Sequence, residues 1–266
     1  MRRLVRKSSI VFLFMIITAG FGYLFRLILS RNMSLAEFGL FFAVLSFINM
    51  FYGFKGFGTA TASVKFISEY KAKGETEKVR EVVLAYSIIQ LVIFGMLTLV
   101  ILFSSGFLSQ NYFKAEDAKS LLFILSIAFF FFIFVSTARA LLQGLQKQTE
   151  FSSVELVQSV LLVLFVYFMH DTSVLIPAFA YLFSFFLTTI WSTYLAARSF
   201  PLLGTIKTDL KTYLKLFKYG IPVTLATIFS TLVSSLDTVV LTYFRSLEEV
   251  AIYNVAVPTV NLLRYF

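Results

Sequence analysis

The sequence predicts an all-α fold: a polytopic membrane protein with a six-helix lobe and the first two helices of a second, like-oriented lobe, in an apparently incomplete chain. Three observations carry this. Of 266 residues, 59% are hydrophobic and 14% charged, with a mean hydropathy of +0.86, where soluble domains carry about 25% charged residues. Apolar runs recur at about 20 residues, the length a helix needs to cross a bilayer and roughly twice that of a barrel strand. The last two runs also repeat the first two.

That repeat is read at an offset of 212: Ser34, Leu35 and Glu37 fall on Ser246, Leu247 and Glu249. Phe38-Gly39-Leu40-Phe41 match Val250-Ala251-Ile252-Tyr253 in character, and Asn49 falls on Asn261. Helices one and two therefore recur as helices seven and eight. Repeats of this kind in membrane proteins set two like units about a common axis.

The predicted spans follow in order. Met1-Arg2-Arg3-Leu4-Val5-Arg6-Lys7 has the charge of a signal-peptide start. The apolar run after it reaches Ser30 with no clear small-residue cleavage site, so it is read as a retained first helix. Gly20 and Gly22 are expected to let a neighbouring helix approach. Arg26 lies inside this span, roughly 7 Å outward of its midpoint at about 1.5 Å per residue. The short turn at 31–37 makes helices one and two antiparallel neighbours. Helix two is expected over 38–62, with Asn49, Lys55 and the glycines Gly53, Gly56 and Gly58; a mixed-charge helical extension over 63–81 turns at Lys73-Gly74.

Helix three is expected over 82–103 and contains Gln90; after an outer loop, helix four spans 121–142 and helix five runs from 151 to 169. His170-Asp171 is an outer turn, and helix six covers 174–197, with Pro177 in its first turn and Trp191 toward the inner interface. Residues 200–218 form a basic connector in which Leu210, Leu214 and Phe217 have amphipathic spacing, suited to a helix lying on an anionic leaflet. Helices seven and eight follow, joined by Arg245-Ser246-Leu247-Glu248-Glu249. The domains are thus 1–198, the first six-helix transmembrane lobe; 199–218, a basic cytoplasmic linker; and 219–266, the start of the second lobe. At the 212 offset Phe266 matches Phe54, inside helix two, so further helices are expected to complete the second lobe; a native eight-helix chain is the alternative.

The net charge of +9 is accounted for by topology, with 17 Lys and Arg on the predicted inner side and 4 on the outer. That bias puts the amino terminus in the cytoplasm of a multi-pass cytoplasmic-membrane protein, and leaves no reason to expect nucleic acid as a partner. With no Cys there are no disulfides, thiolate metal sites or Cys nucleophiles, and a lone His makes no multi-His metal site. Gly53-Phe54-Lys55-Gly56-Phe57-Gly58 is glycine-rich but apolar and lies in a span, unlike a phosphate loop. No polar segment is large enough for a catalytic domain. Neither enzyme activity, nor a cofactor, nor a metal is expected; coupling to an ion gradient is left open, with the ion unspecified.

The candidate binding residues are polar groups inside spans: Arg26, Lys55, Asp237, Asn49 and Asn254. A charge in hydrocarbon costs roughly 2.5–3.5 kcal/mol on insertion scales, so it usually borders protein or a wet cavity. Arg26 could instead snorkel to the interface. Asp237 is too short to do so; its repeat-equivalent position is Phe25, at almost the depth of Arg26. The two are expected to face one cleft from opposite lobes. Lys55 reads as a deeper anion contact or an inner-leaflet headgroup contact. Asn49, Asn254 and Asn261 read as sugar contacts or interhelical packing, and Gln90 and Gln158 as packing.

Gly58-Thr59-Ala60 with Lys65-Phe66-Ile67-Ser68-Glu69-Tyr70 and Gly74 resembles the end of helix two and its extension in polysaccharide-biosynthesis flippases. Gly220-Ile221-Pro222, Asp237 and Glu249-Val250-Ala251-Ile252-Tyr253-Asn254 resemble their seventh and eighth helices. The family belongs to the multidrug/oligosaccharidyl-lipid/polysaccharide exporter superfamily. The resemblance implies two six-helix lobes around a V-shaped cavity, alternating access, and a cationic cavity for the phosphates of a lipid-linked sugar. Arg26 matches in position a first-helix arginine of peptidoglycan-precursor flippases, although Leu27 stands where those have an acid. The expected function is a flippase moving a polyprenyl-linked oligosaccharide across the cytoplasmic membrane. Membrane lipids would be further partners and glycosyltransferases the pathway neighbours. The alternative is a cation-coupled multidrug or small-molecule exporter, in which acids rather than Arg26 and Lys55 would be expected in the first lobe.

Overall fold

A computed structural model describes residues 2–53, 55–169, 173–201 and 208–262, the side chains of 2–7, 52, 53, 55, 227–235 and 258–262 excepted. The described elements are helical: α1 (Arg2–Asn32), α2 (Leu35–Gly53), α3 (Thr59–Ala72), α4 (Thr76–Phe107), α5 (Asp117–Gly144), α6 (Gln148–Phe168), α7 (Ile176–Ser199), α8 (Leu210–Phe244) and α9 (Leu247–Leu262). A 3-10 turn, Lys55–Gly58, lies between α2 and α3, and a π-helical turn, Leu108–Phe113, ends α4. Among the described residues, six stretches between Ser8 and Ser199 are long and apolar enough to cross a membrane, with mean hydropathies from 1.3 to 2.6. The expected polytopic all-helical class is therefore observed. Two ends of the bundle can be named by their chemistry. The turn face carries the α1–α2 and α8–α9 turns; the basic face carries the α3–α4 turn and the start of α8.

Both short turns on the turn face cap the following helix through a serine hydroxyl. Ser34 donates through Oγ to Glu37 Oε2 at 2.6 Å, and the Glu37 N–H donates back to Ser34 Oγ at 3.3 Å. At the start of α9 the Glu249 N–H donates to Ser246 Oγ at 3.4 Å. This Ser-x-x-Glu arrangement satisfies N–H groups that a helix start leaves open. It gives a physical cause for the strongest identities in the repeat.

The side chains pack into two main clusters. One, toward the turn face, gathers Phe25, Phe38, Phe41, Val44, Ile48, Leu121, Leu125 and Phe185, and includes Val250 and Ala251 of α9. The other, toward the basic face, gathers Phe66, Ile67, Val79, Tyr86 and Leu141, and includes Leu216 of α8. The α8–α9 hairpin is thus part of both cores. It packs along α2 and α3, while α1 lies mainly on α6 and α5 mainly on α7.

Three expectations are corrected. Helix two is not continuous over 38–62: Gly56 (φ 59°), Phe57 (φ 50°) and Gly58 (φ 70°) adopt left-handed backbone and break it before α3. Glycine makes two of those three conformations cheap. Gly20 and Gly22 receive no close neighbour; a Cβ on either would meet nothing within 4 Å, because they lie on the exposed side of α1. The leucines 210 and 214 do not belong to a separate helix lying flat. They open α8, a single helix of 35 residues, longer than the about 20 that cross hydrocarbon. Leu216 is its buried residue here, packed on α3 and α4, while Leu210 and Leu214 are 70% and 60% exposed. Within the linker, Gly204 and Lys207 lie outside the described residues, as do His170 and Asp171.

Candidate functional site

The seam between the first bundle and the α8–α9 hairpin collects the polar groups. Arg26 is six residues from the end of α1, Asp237 seven from the end of α8 and Asn254 seven into α9. At about 1.5 Å per residue all three lie roughly 10 Å below the turn face. Arg26 Nη1 donates to the backbone carbonyl of Asn254 at 2.9 Å, and its guanidinium sits 4.3 Å from the Phe42 ring centroid on α2. Position 258 explains why that carbonyl is open. Pro258 has no N–H to give to residue 254, so the carbonyl one turn back lacks its usual helical donor. Arg26 supplies the missing donor from another helix.

The Asn254 side chain is buried and turned the other way, donating from Nδ2 to the Val250 carbonyl at 3.0 Å and to Thr238 Oγ1 at 3.4 Å. Asp237 is exposed and accepts a hydrogen bond from the Tyr253 hydroxyl at 2.7 Å. Arg26 and Asp237 therefore lie at one depth, but among the described ion pairs they are not partners. Asn49 is exposed on α2, nearer the basic face, and Lys55 is in the 3-10 turn, its side chain outside the described residues, like that of Asn261. The structure joins Arg26 to Asn254 and, through Tyr253 and Thr238, ties Asp237 and Asn254 into one hairpin. Asn49 and Lys55 stay apart from that group along the chain.

Two backbone approaches clamp the same seam. Near the turn face a Cβ on Gly39 would run into the Leu247 carbonyl. Near the basic face Gly58 and Gly220 abut, so that a Cβ on Gly58 would strike the Gly220 carbonyl and one on Gly220 the Phe57 carbonyl. Tyr112 adds a tie: its hydroxyl donates to the Val239 carbonyl of α8 at 2.6 Å, and its ring stacks on Tyr243 at 6.1 Å. The π-helical turn holds Tyr112, a widening often found at functional positions. Nothing in the sequence pattern marked it.

A second polar feature lies inside the first bundle. Gln90 Nε2 donates to the Tyr86 hydroxyl at 2.6 Å, Tyr86 also bonds Ser136, and Arg139 pairs with Glu155 at 3.1 Å. Tyr86, Gln90, Ser136 and Arg139 border a cavity of about 210 Å³. Gln90 was expected to be packing, and the four-residue spacing of Tyr86 and Gln90 is the signal that could have linked them. Among the described residues no group of His, Cys, Asp and Glu could hold a metal.

A bundle of long apolar helices, broken at Gly56–Gly58 and seamed by polar contacts, defines a membrane protein built like the solved transporters it superposes on. An inward-facing multidrug resistance MATE family transporter of the MOP superfamily matches with TM-score 0.68 and 17% identity, over 90% of this chain and 56% of that one. A MATE protein in complex with Br-NRF matches with TM-score 0.61 and 15% identity, over 98% of this chain and 73% of that one. At those identities the likeness is one of fold. Residues 4–266 match the polysaccharide biosynthesis protein family, and the chain belongs to it. It is 27% identical to an uncharacterized membrane protein of Methanocaldococcus jannaschii over 94% of its own length and 53% of the relative's. The chain thus spans about half the length of that relative. The family expected from the sequence is the one found.

Proposed function

We propose that this chain belongs to a flippase that carries a polyprenyl-linked oligosaccharide across the cytoplasmic membrane by alternating access. The six spans before residue 199 form the first lobe, and the α8–α9 hairpin begins the second. The observation that carries this reading is Arg26, a cation in the membrane whose described hydrogen bond is to a backbone carbonyl on the facing hairpin. A carbonyl carries no formal charge, so the contact is exchangeable: when the seam opens, the guanidinium passes from the carbonyl to a substrate phosphate, which it binds more strongly. Lys55 extends the cationic path toward the basic face, taken as cytoplasmic. Asn49 offers hydrogen bonds to sugar, Asn254 holds the hairpin in register, and Asp237 is the candidate for ion coupling. The solved structures it superposes on include a multidrug resistance transporter, and this reading assigns no catalytic role to any residue.

A multidrug exporter driven by a cation gradient is the second reading, favoured by the multidrug resistance transporter among the structural matches. The test is translocation of a lipid-linked oligosaccharide in vesicles, using the full-length protein. Arg26→Ala is expected to lower the rate at least tenfold, with Asp237→Ala changing the dependence on the ion gradient. Cation-driven efflux of organic cations that is untouched by Arg26→Ala, with no lipid-linked sugar moved, would select the second reading.

A further inference from the structure

The first turn of α8 is capped from another helix. Asp209 stands at the N-cap and accepts from the Lys211 N–H through Oδ1 at 3.3 Å. In a capping box the third helical residue is a Glu or Gln whose side chain returns to the N-cap N–H. Here that position holds Thr212, and the acid comes from α4 instead. Glu81 Oε1 accepts from the Asp209 N–H at 3.0 Å and from the Thr212 hydroxyl at 2.6 Å. One carboxylate oxygen completes the cap and ties two helices together. Its neighbour Arg80 donates through Nε to the Pro201 carbonyl at 2.8 Å, just past the end of α7. Adjacent residues of α4 therefore hold the chain where it leaves the first bundle and where it enters α8.

The place of this tie gives it leverage. Going outward along α8 from Gly220, whose backbone abuts Gly58, the chain passes Leu216 in the core and ends at Asp209. At about 1.5 Å per residue, Asp209 lies roughly 17 Å beyond Gly220. When bundle and hairpin part at the basic face, that end travels farthest. Leu216 and the two glycines are held by close packing. Glu81 is half-buried and Asp209 exposed, so their hydrogen bonds exchange for water at small net cost and can close and release repeatedly. We infer that Glu81 is the latch of the basic face: bound to Asp209 and Thr212 it caps α8 and holds the seam shut there, and on release α8 swings away from α4. The inference rests on the alternating-access reading above, which requires this face to open.

The chain contains no Cys, so spin labels can be placed by Glu77→Cys on α4 and by Lys211→Cys or Lys218→Cys on α8, all at exposed positions. The 77–211 and 77–218 distances are measured in the full-length protein in phosphatidylcholine vesicles, with no cargo. Glu81→Ala is expected to raise the long-distance population of both pairs by about threefold or more. Thr212→Val removes one of the two bonds and should give a smaller rise, and should add nothing in the Glu81→Ala background. Glu81→Gln keeps an acceptor oxygen and should stay within about twofold of the unsubstituted protein. Unchanged distances in Glu81→Ala overturn the latch. A rise confined to the 77–211 pair also overturns it, because Glu81 would then only cap a fraying helix end. Should Glu81→Ala fail to fold, Thr212→Val decides by the same criteria. Lipid-linked sugar transport with unchanged distances removes the latch and keeps the flippase; the expected distances without such transport keep the latch and remove the flippase.

Discussion

Arg26 is bonded to Asn254 through the one carbonyl in its turn of helix that proline leaves without a donor. The contact, at 2.9 Å between α1 and α9, links a charge that lipid disfavours to a backbone group that lipid disfavours. Each relieves the other, and both sit on the surface where bundle and hairpin separate.

The first prediction follows from that pairing. Arg26→Ala should destabilise the protein by about 1 kcal/mol, within the range of hydrogen bonds between membrane helices. In a Pro258→Ala background the helix can satisfy the Asn254 carbonyl itself, and the cost of Arg26→Ala should fall by half or more. A double-mutant cycle on thermal unfolding in detergent checks this; strictly additive effects would separate Arg26 from Pro258.

Charge reversal should not repair the site. Arg26→Asp and Asp237→Arg are each expected to abolish translocation. The double reversal should leave it abolished, because Asp237 bonds to Tyr253 and Arg26 to a carbonyl that no carboxylate can replace. Recovery of activity in the double variant would reveal a direct pair in another state of the cycle.

Glycine positions should separate by what faces them. Gly39→Ala pushes a methyl into the Leu247 carbonyl and should cost about 1–3 kcal/mol. Gly22→Ala faces open space and should be neutral or slightly stabilising, since alanine is the better helix former. Unfolding midpoints of the two variants, compared directly, decide it.

Tyr112→Phe removes the bond to the Val239 carbonyl but keeps the ring on Tyr243. A loss of about 1 kcal/mol is expected. Tyr112→Ala should cost more, and should raise the labelling rate of a single cysteine placed at Tyr243.

Much of the fold was legible because hydrocarbon is a demanding solvent. Run lengths located the spans, and the Ser34–Glu37 and Ser246–Glu249 identities marked two turns whose serine hydroxyls cap the helix that follows. The break at Gly56–Gly58 was visible as composition but not as geometry, since glycine permits a left-handed backbone without requiring it. Gly20 and Gly22 show the converse: small residues permit a close helix contact without requiring one, and both face open space. Pro258 stood in plain view four residues after Asn254, yet nothing local says which helix will answer an open carbonyl.

The sequence by itself determined the class and the depth of each polar group, because both depend on distance along a helix whose rise is constant; the family was carried by the motifs within 58–74 and 220–254. Tertiary structure alone decided which groups meet. Arg26 finds a carbonyl rather than Asp237, and Lys65 and Lys215 converge on Phe66, because helix rotation and crossing are set by side-chain packing across the seam, to which residues far apart in the chain contribute together.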